Sequence, residues 1–173
     1  DMSILVTGGA GYIGSHMTLA LLDQGEDVVV LDNLSTGIRA LVPTAATFVQ
    51  ADAGDRKLVQ KIVSRHEVDA IFHFAGSTIV PESVEMPLRY YANNTVTSRA
   101  LIEAAGECGI RHFIFSSTAA VYRSPDTETV AENAPTFPAS PYGRSKLMTE
   151  WMLEDAARAT PLRYVALRYF NVA

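Results

Sequence analysis

The stretch Ile4-Leu5-Val6-Thr7-Gly8-Gly9-Ala10-Gly11-Tyr12-Ile13-Gly14 constrains the fold more than any other. Three apolar residues read as a short buried strand and a glycine cluster follows. From Tyr12 to Gln24 the apolar residues Ile13, Met17, Ala20 and Leu21 recur at helical spacing. Strand, glycine turn and helix in that order form the setting in which a glycine-rich motif binds a dinucleotide. Gly8 permits the tight turn out of the strand. Gly11 lets backbone approach a pyrophosphate that a β-carbon would strike, and Gly14 lets the helix lie close to the strand. The helix start presents free N–H groups and a partial positive charge to phosphates.

A second strand, Asp27 to Leu31, ends in Asp32, about 20 residues past the glycines, where a dinucleotide fold places an acidic residue. A carboxylate there accepts hydrogen bonds from the adenosine ribose hydroxyls and repels a 2′-phosphate, so NAD is expected over NADP. The competing assignment for Asp32 is a cap on the turn that starts at Asn33.

The rest of the chain repeats the alternation. Strands are expected at Thr47 to Gln50, Asp69 to Phe74, Arg111 to Ser116 and Arg163 to Arg168, the fifth of the six running on through Ser117 to Tyr122. Helices are expected at Asp55 to His66, as one long element from Pro87 to Gly109, and from Ser140 to Ala159 with Pro141 at its start. Asn33 to Pro43 and Ser124 to Ala139 read as loops. The expected architecture is α/β: one Rossmann-type domain over residues 1–173, a doubly wound parallel sheet of six strands with helices on both faces. Ligands then belong at the carboxyl ends of the strands, where Gly8 to Gly11, Asp32-Asn33, Asp52-Ala53, Ala75-Gly76, Ser116 to Thr118 and Tyr169 to Asn171 collect.

Composition excludes several classes. With 14 basic and 19 acidic residues the net charge is −5, which gives no support to nucleic-acid or anionic-membrane binding. No apolar run approaches a membrane span and no signal peptide is read before Ile4. The single cysteine, Cys108, allows no intrachain disulfide and fits a cytoplasmic protein. The four histidines, at 16, 66, 73 and 112, have no metal-ligand spacing, so no metal is expected, and His73 reads as a hydrogen-bonded core residue.

Chemistry is suggested by Ser140-Pro141-Tyr142-Gly143-Arg144-Ser145-Lys146, which puts Tyr142 and Lys146 at i and i+4 on one helix face. Lys146 is the sole lysine after Lys61 in a chain that otherwise uses arginine. A tyrosine becomes a base near pH 7 only if its pKa of about 10 falls by about 3, roughly 4 kcal/mol of preference for the phenolate. A lysine charge about 6 Å away, at an effective dielectric near 20, supplies roughly 3 kcal/mol. An oxidised nicotinamide nearby would supply the remainder. Thr118, at the end of the preceding strand, is placed to hydrogen-bond the same substrate hydroxyl, or else is simply a β-branched strand residue.

Thr7-Gly-Gly-Ala-Gly-Tyr-Ile-Gly-Ser-His16, His73-Phe-Ala-Gly76, Tyr90-Tyr-Ala-Asn-Asn94, Pro141-Tyr-Gly-Arg-Ser-Lys146 and Arg168-Tyr-Phe-Asn171 together resemble the extended short-chain dehydrogenases/reductases. Within them they resemble the UDP-glucose 4-epimerases. The resemblance implies Tyr142 as the base, Lys146 as its electrostatic partner and ribose ligand, and Thr118 as the hydroxyl-binding residue. It implies NAD contacts from Gly8, Gly11, Tyr12, Ile13, Gly14, Asp32, Asn33, Ser35, Asp52, Ala53, Phe74, Ala75, Gly76, Asn93 and Lys146. Thr118, Tyr142, Phe170 and Asn171 would meet a UDP-hexose.

Related dehydratases carry Asp-Glu just after the catalytic Thr, and related decarboxylases carry Glu at the second of those positions. Ala119 and Ala120 stand there in this chain, which points to reversible oxidation at C4, through a 4-keto sugar, without elimination. Thr78 replaces a lysine common in some epimerases, and Arg123 replaces a glycine usual after Val-Tyr. The family's chains are much longer, so this one resembles their N-terminal cofactor-binding portion. The resemblance also implies a homodimer. Its two long helices would pair with their two-fold copies, using apolar residues such as Tyr90, Tyr91, Leu101, Leu147, Met148, Trp151, Met152 and Leu153. Two other readings stay open: a nucleotide-sugar dehydrogenase or reductase, which would release oxidised or reduced sugar, and a non-catalytic NAD-binding module.

Overall fold

The computed structural model describes residues 2–122 and 129–172, so Arg123 lies outside the described residues. Six parallel strands form a single sheet: β1 Ser3–Thr7, β2 Asp27–Asp32, β3 Thr47–Gln50, β4 Ala70–His73, β5 His112–Thr118 and β6 Arg163–Tyr169. Their order is β3-β2-β1-β4-β5-β6. The chain leaves β1 toward β2 on one side and returns to β4 on the other, so a crevice opens past the ends of β1 and β4.

Strand alternation explains why the apolar runs are continuous. Ile4, Val6, Val28, Val30 and Ala70 pack together with Leu21 and Leu22 of helix α1 (Tyr12–Asp23). Their neighbours Leu5, Val29, Leu31, Ile71, Phe113 and Phe115 pack with Val59, Ile62 and Val63 of α2 (Arg56–His66) and with residues of two later helices. Both faces of the sheet are thus covered, and a strand buried on both faces needs apolar residues at every position. Each fully buried Leu, Ile or Phe contributes roughly 1.5–3 kcal/mol.

Two elements differ from the sequence-based expectation. A short helix, α3 (Val80–Glu85), falls in a stretch with no helical assignment. Six residues are too few to display a 3.6-residue period, and Pro81 at its first turn was its single signal. The long element expected from Pro87 to Gly109 is continuous but not uniform: α4 (Pro87–Tyr90) passes through a π turn (Tyr91–Val96) into α5 (Thr97–Glu107). The last helix, α6 (Pro141–Ala159), starts with the Ser140 hydroxyl accepting from the Gly143 N–H. Strand β5 continues two residues past Ser116 before a 3₁₀ turn, Ala119–Val121.

Among the described residues no helix is long and apolar enough to cross a membrane. None of their His, Cys, Asp and Glu side chains form a group of three or more able to hold a metal ion.

Candidate active site

The glycine turn packs as tightly as its sequence implies. Gly8 has φ +71° and lies against the chain leaving β4, where a β-carbon would stand 2.5 Å from the Ala75 nitrogen. Gly9 is pressed on Val30 in the same way, a constraint the sequence reading passed over. Gly11, the N-cap of α1, differs: the nearest atom to a β-carbon there is the Gly8 carbonyl oxygen at 3.3 Å. Most of the space before Gly11 is therefore left open by the protein itself. No side chain caps α1 and its first turn has no acidic residue, so its N–H groups and dipole face that space. Tyr12 is exposed, its ring tilted against His16 at 4.6 Å.

Asp32 is buried at the end of β2. Its Oδ2 accepts from the Ala10 N–H at 3.0 Å and its Oδ1 from the Leu34 N–H at 2.8 Å. The turn-capping assignment is therefore correct, and it does not displace the other one. Each carboxylate oxygen keeps a further lone pair, and the Ala10 bond ties the acid to the glycine turn. Asn33 and Ser35 are exposed in the next turn, with Asn33 Oδ1 accepting from the Ser35 N–H at 2.9 Å. Beyond β3, Asp52 is exposed and closes its own turn through the Gly54 N–H, while Ala53 is buried.

The residues after β4 connect this crevice to α6. Phe74 and Ala75 are half-buried and Gly76 is exposed. A β-carbon on Gly76, whose φ is +153°, would meet Asn94 Oδ1 at 2.9 Å and Lys146 Nζ at 3.4 Å. Asn94 is buried in the π turn. Its Oδ1 accepts from the Ser77 N–H at 2.7 Å, and its Nδ2 donates to the Ser77 carbonyl and the Ser145 hydroxyl, both at 3.0 Å. Asn93, the residue singled out from the sequence, is exposed and donates to the Ser77 hydroxyl at 3.0 Å. Sequence reasoning missed Asn94 as a site-building residue. Two adjacent asparagines look alike until the extra residue of a π turn turns one inward.

Tyr142 and Lys146 lie on one face of α6, turned toward the end of β5. Lys146 is 3% exposed, its ammonium donating to the Ser116 carbonyl at 3.0 Å and lying 5.0 Å from the centre of the Phe115 ring. Burial lowers its pKa to about 8. The phenol of Tyr142 lies near the Thr118 side chain. Its ring stands edge-on to that of Tyr90 at 6.4 Å. Desolvation pushes the Tyr142 pKa up, and the nearby Thr118 hydroxyl works the other way. The sequence assigned the lowering of this pKa to Lys146 together with an oxidised nicotinamide, and in the folded chain by itself burial sets the direction upward. Thr118 Oγ1 accepts from the Ala120 N–H at 3.1 Å.

His73 is a satisfied core residue. It is 1% exposed, shares hydrogen bonds with Thr7 Oγ1 at 2.6 Å and Ser98 Oγ at 2.8 Å, and burial lowers its pKa to about 3. Phe170 and Asn171 are exposed just beyond β6, at the sheet's outer edge rather than in the crevice between β1 and β4. The structure thus gathers the glycine turn, Asp32, Gly76, Thr118, Tyr142 and Lys146 along the carboxyl edge of the sheet.

Residues 4–173 match the NAD dependent epimerase/dehydratase family. This chain belongs to that family. It is 54% identical over 170 residues to a UDP-glucose 4-epimerase of Azospirillum brasilense, an alignment covering 98% of this chain and 49% of the relative. The fold superposes with a TM-score of 0.95 on a UDP-glucose 4-epimerase of Brucella ovis crystallised with NAD, at 43% identity over 99% of this chain and 52% of that one. A Thermotoga maritima UDP-glucose 4-epimerase solved with UDP-glucose gives a TM-score of 0.92 at 39% identity, covering 97% of this chain and 55% of that one. The chain spans about half the length of the curated relatives it matches.

Proposed function

We propose that this chain is the cofactor-binding domain, over residues 1–173, of an NAD-dependent epimerase that interconverts UDP-glucose and UDP-galactose at C4. One observation carries the reading: Tyr142 stands one helical turn from the buried Lys146, with Thr118 near its phenol, at the carboxyl edge of the sheet where Gly11 leaves open space before helix α1.

The residues present fit NAD. The open face of Gly11 and the uncapped start of α1 would take the pyrophosphate, with Tyr12, Ile13 and Gly14 in that first turn. Asp32, with Asn33 and Ser35 after it, would hold the adenosine ribose. Asp52 and Ala53 would border the adenine end. Phe74, Ala75, Gly76, Asn93 and Lys146 would border the nicotinamide end. Bound there, NAD supplies the hydride acceptor and donor for C4.

The chain's own groups handle the proton. Thr118 lies near the Tyr142 phenol, so a sugar 4-hydroxyl placed between the two would have both an acceptor and a donor. Tyr142 takes the proton from O4 and later returns it. Its phenol is held high by burial, so the positive charges of Lys146 and of the oxidised cofactor are both needed to bring it into a useful range. Ala119 and Ala120 cannot move protons, which supports epimerisation over dehydration or decarboxylation. Phe170 and Asn171 would meet the nucleotide-sugar.

Support for a homodimer rests on part of the set the sequence suggested, Met148 and Trp151, joined by Leu88 and Val96. Tyr90, Leu101, Leu147 and Leu153 are buried within the chain, whereas Leu88, Val96, Met148 and Trp151 are exposed. A cytoplasmic location rests on the lone Cys108.

The test supplies UDP-galactose to the protein at its full encoded length and follows UDP-glucose. Interconversion without net NADH is expected. Stoichiometric NADH would favour a dehydrogenase, and no turnover with intact NAD binding would favour a binding module.

A further inference from the structure

Turns of α6 engage the end of β5 three times in succession. Tyr142 lies by Thr118, Lys146 bonds the Ser116 carbonyl, and Glu150 accepts from the Ser117 hydroxyl. Positions 142, 146 and 150 are spaced by four, so they share one face of the helix. The functional reading uses the first two contacts and leaves the third unexplained, although Glu150 is 7% exposed. An acid so placed needs a partner, and Arg168 is that partner. Arg168 stands opposite Ser117 in the β5–β6 pairing. Its Nε donates to Glu150 Oε1 at 3.0 Å and its Nη2 to Oε2 at 2.6 Å, a two-pronged contact that fixes the carboxylate plane. Its Nη1 reaches the Tyr122 hydroxyl at 2.9 Å and the Glu132 carbonyl at 3.2 Å. The guanidinium also lies 4.8 Å from the centre of the Tyr122 ring.

We propose that Glu150 and Arg168 are positioning residues for the reaction, holding α6 in register with the end of β5 so that Tyr142 and Lys146 keep their geometry against Thr118. The inference rests on the epimerase reading above. The pair ties both segments that carry the reacting groups, α6 through Glu150 and β5 through Ser117, to β6 through Arg168 and to the chain leaving Thr118 through Tyr122. Apolar side chains can fill such a site at no loss of stability, because burying a charged pair costs about as much as its attraction returns. What apolar packing lacks is direction. A two-pronged ion pair with a third bond to Ser117 defines one rotation and one height for the helix, and a misplacement of about 1 Å at a reacting centre costs about a hundredfold in rate.

The test compares wild type with Glu150→Gln and Arg168→Lys in the full-length protein. Both should lower kcat about tenfold to a hundredfold, with KM for UDP-galactose and NAD affinity changed less than about threefold. Arg168→Lys, which keeps the charge and loses the fork, should be the milder of the two. In the same full-length variants, amide hydrogen exchange should quicken in residues 116–122 and stay unchanged in β1 and α1. Wild-type kcat in both variants, or kcat lost only in step with global unfolding, overturns the inference while the epimerase reading stands. If one variant fails to fold, the other carries the same readouts. A wild-type protein that does not interconvert the sugars overturns the functional reading and this inference with it.

Discussion

The carbonyl oxygen of Gly8 lies where Gly14 would have to place a β-carbon, 2.2 Å from it. That contact presses helix α1 onto the glycine turn, and the obstacle is backbone, which cannot swing aside. Gly14→Ala should therefore destabilise the fold. The helix propensity gained is about 1 kcal/mol, against an overpacking cost of about 1–3 kcal/mol or more. Gly106, in α5, is the control: nothing lies within 4 Å of a β-carbon there, so Gly106→Ala should stabilise by roughly 0.5–1 kcal/mol. Urea unfolding of the two variants should move the midpoint in opposite directions.

Cofactor preference follows from Asp32. Its carboxylate is buried and held by two backbone N–H groups, so it cannot turn away from a 2′-phosphate. NAD should bind more tightly than NADP by tenfold or more, each factor of ten corresponding to about 1.4 kcal/mol. Calorimetric titration of both cofactors reads this directly, and equal affinities would remove Asp32 from the ribose site.

Tyr142→Phe removes the proton carrier and keeps the ring that packs on Tyr90. Turnover should fall about 10²–10⁴-fold with NAD affinity almost unchanged. Lys146→Ala should lower both, since its ammonium borders Gly76 as well as Ser116. The contrast between the two variants, read by turnover and NAD titration together, separates proton transfer from cofactor binding.

His73 makes stability depend on pH. Its folded pKa of about 3 lies below the usual 6.5, so between those values the unfolded chain binds a proton that the folded chain refuses. Stability is full above about pH 6.5 and falls as pH drops toward 3. At pH 5 the loss from this group should be about 2 kcal/mol. Denaturant unfolding at pH 7.5 and 5.0 should show that drop, and His73→Gln should reduce it although its overall stability is lower.

Self-association should depend on the exposed apolar residues of α4, the π turn and α6. Trp151 is 53% exposed and Leu88 79%. Sedimentation should show a species larger than a monomer at micromolar concentration, and Trp151→Glu should shift it toward monomer. A wild-type monomer that does not change on dilution would dispose of the dimer.

The alternation of strands and helices, the glycine turn, Asp32 and the Tyr142–Lys146 spacing were all legible in the sequence. They are local: each depends on residues within a few turns of one another, and the periods of 2 and 3.6 report them directly. Only the tertiary structure decided the rest. The strand order is set by which strands pair across dozens of residues, and it places the crevice between β1 and β4. The π turn selects Asn94 over Asn93 for the interior, because one extra residue rotates the helix face. The balance at Tyr142 comes out against the phenolate because desolvation depends on surroundings that no spacing reveals. The same holds for Glu150 and Arg168, 18 positions apart in the chain and joined only when α6 is laid against β6.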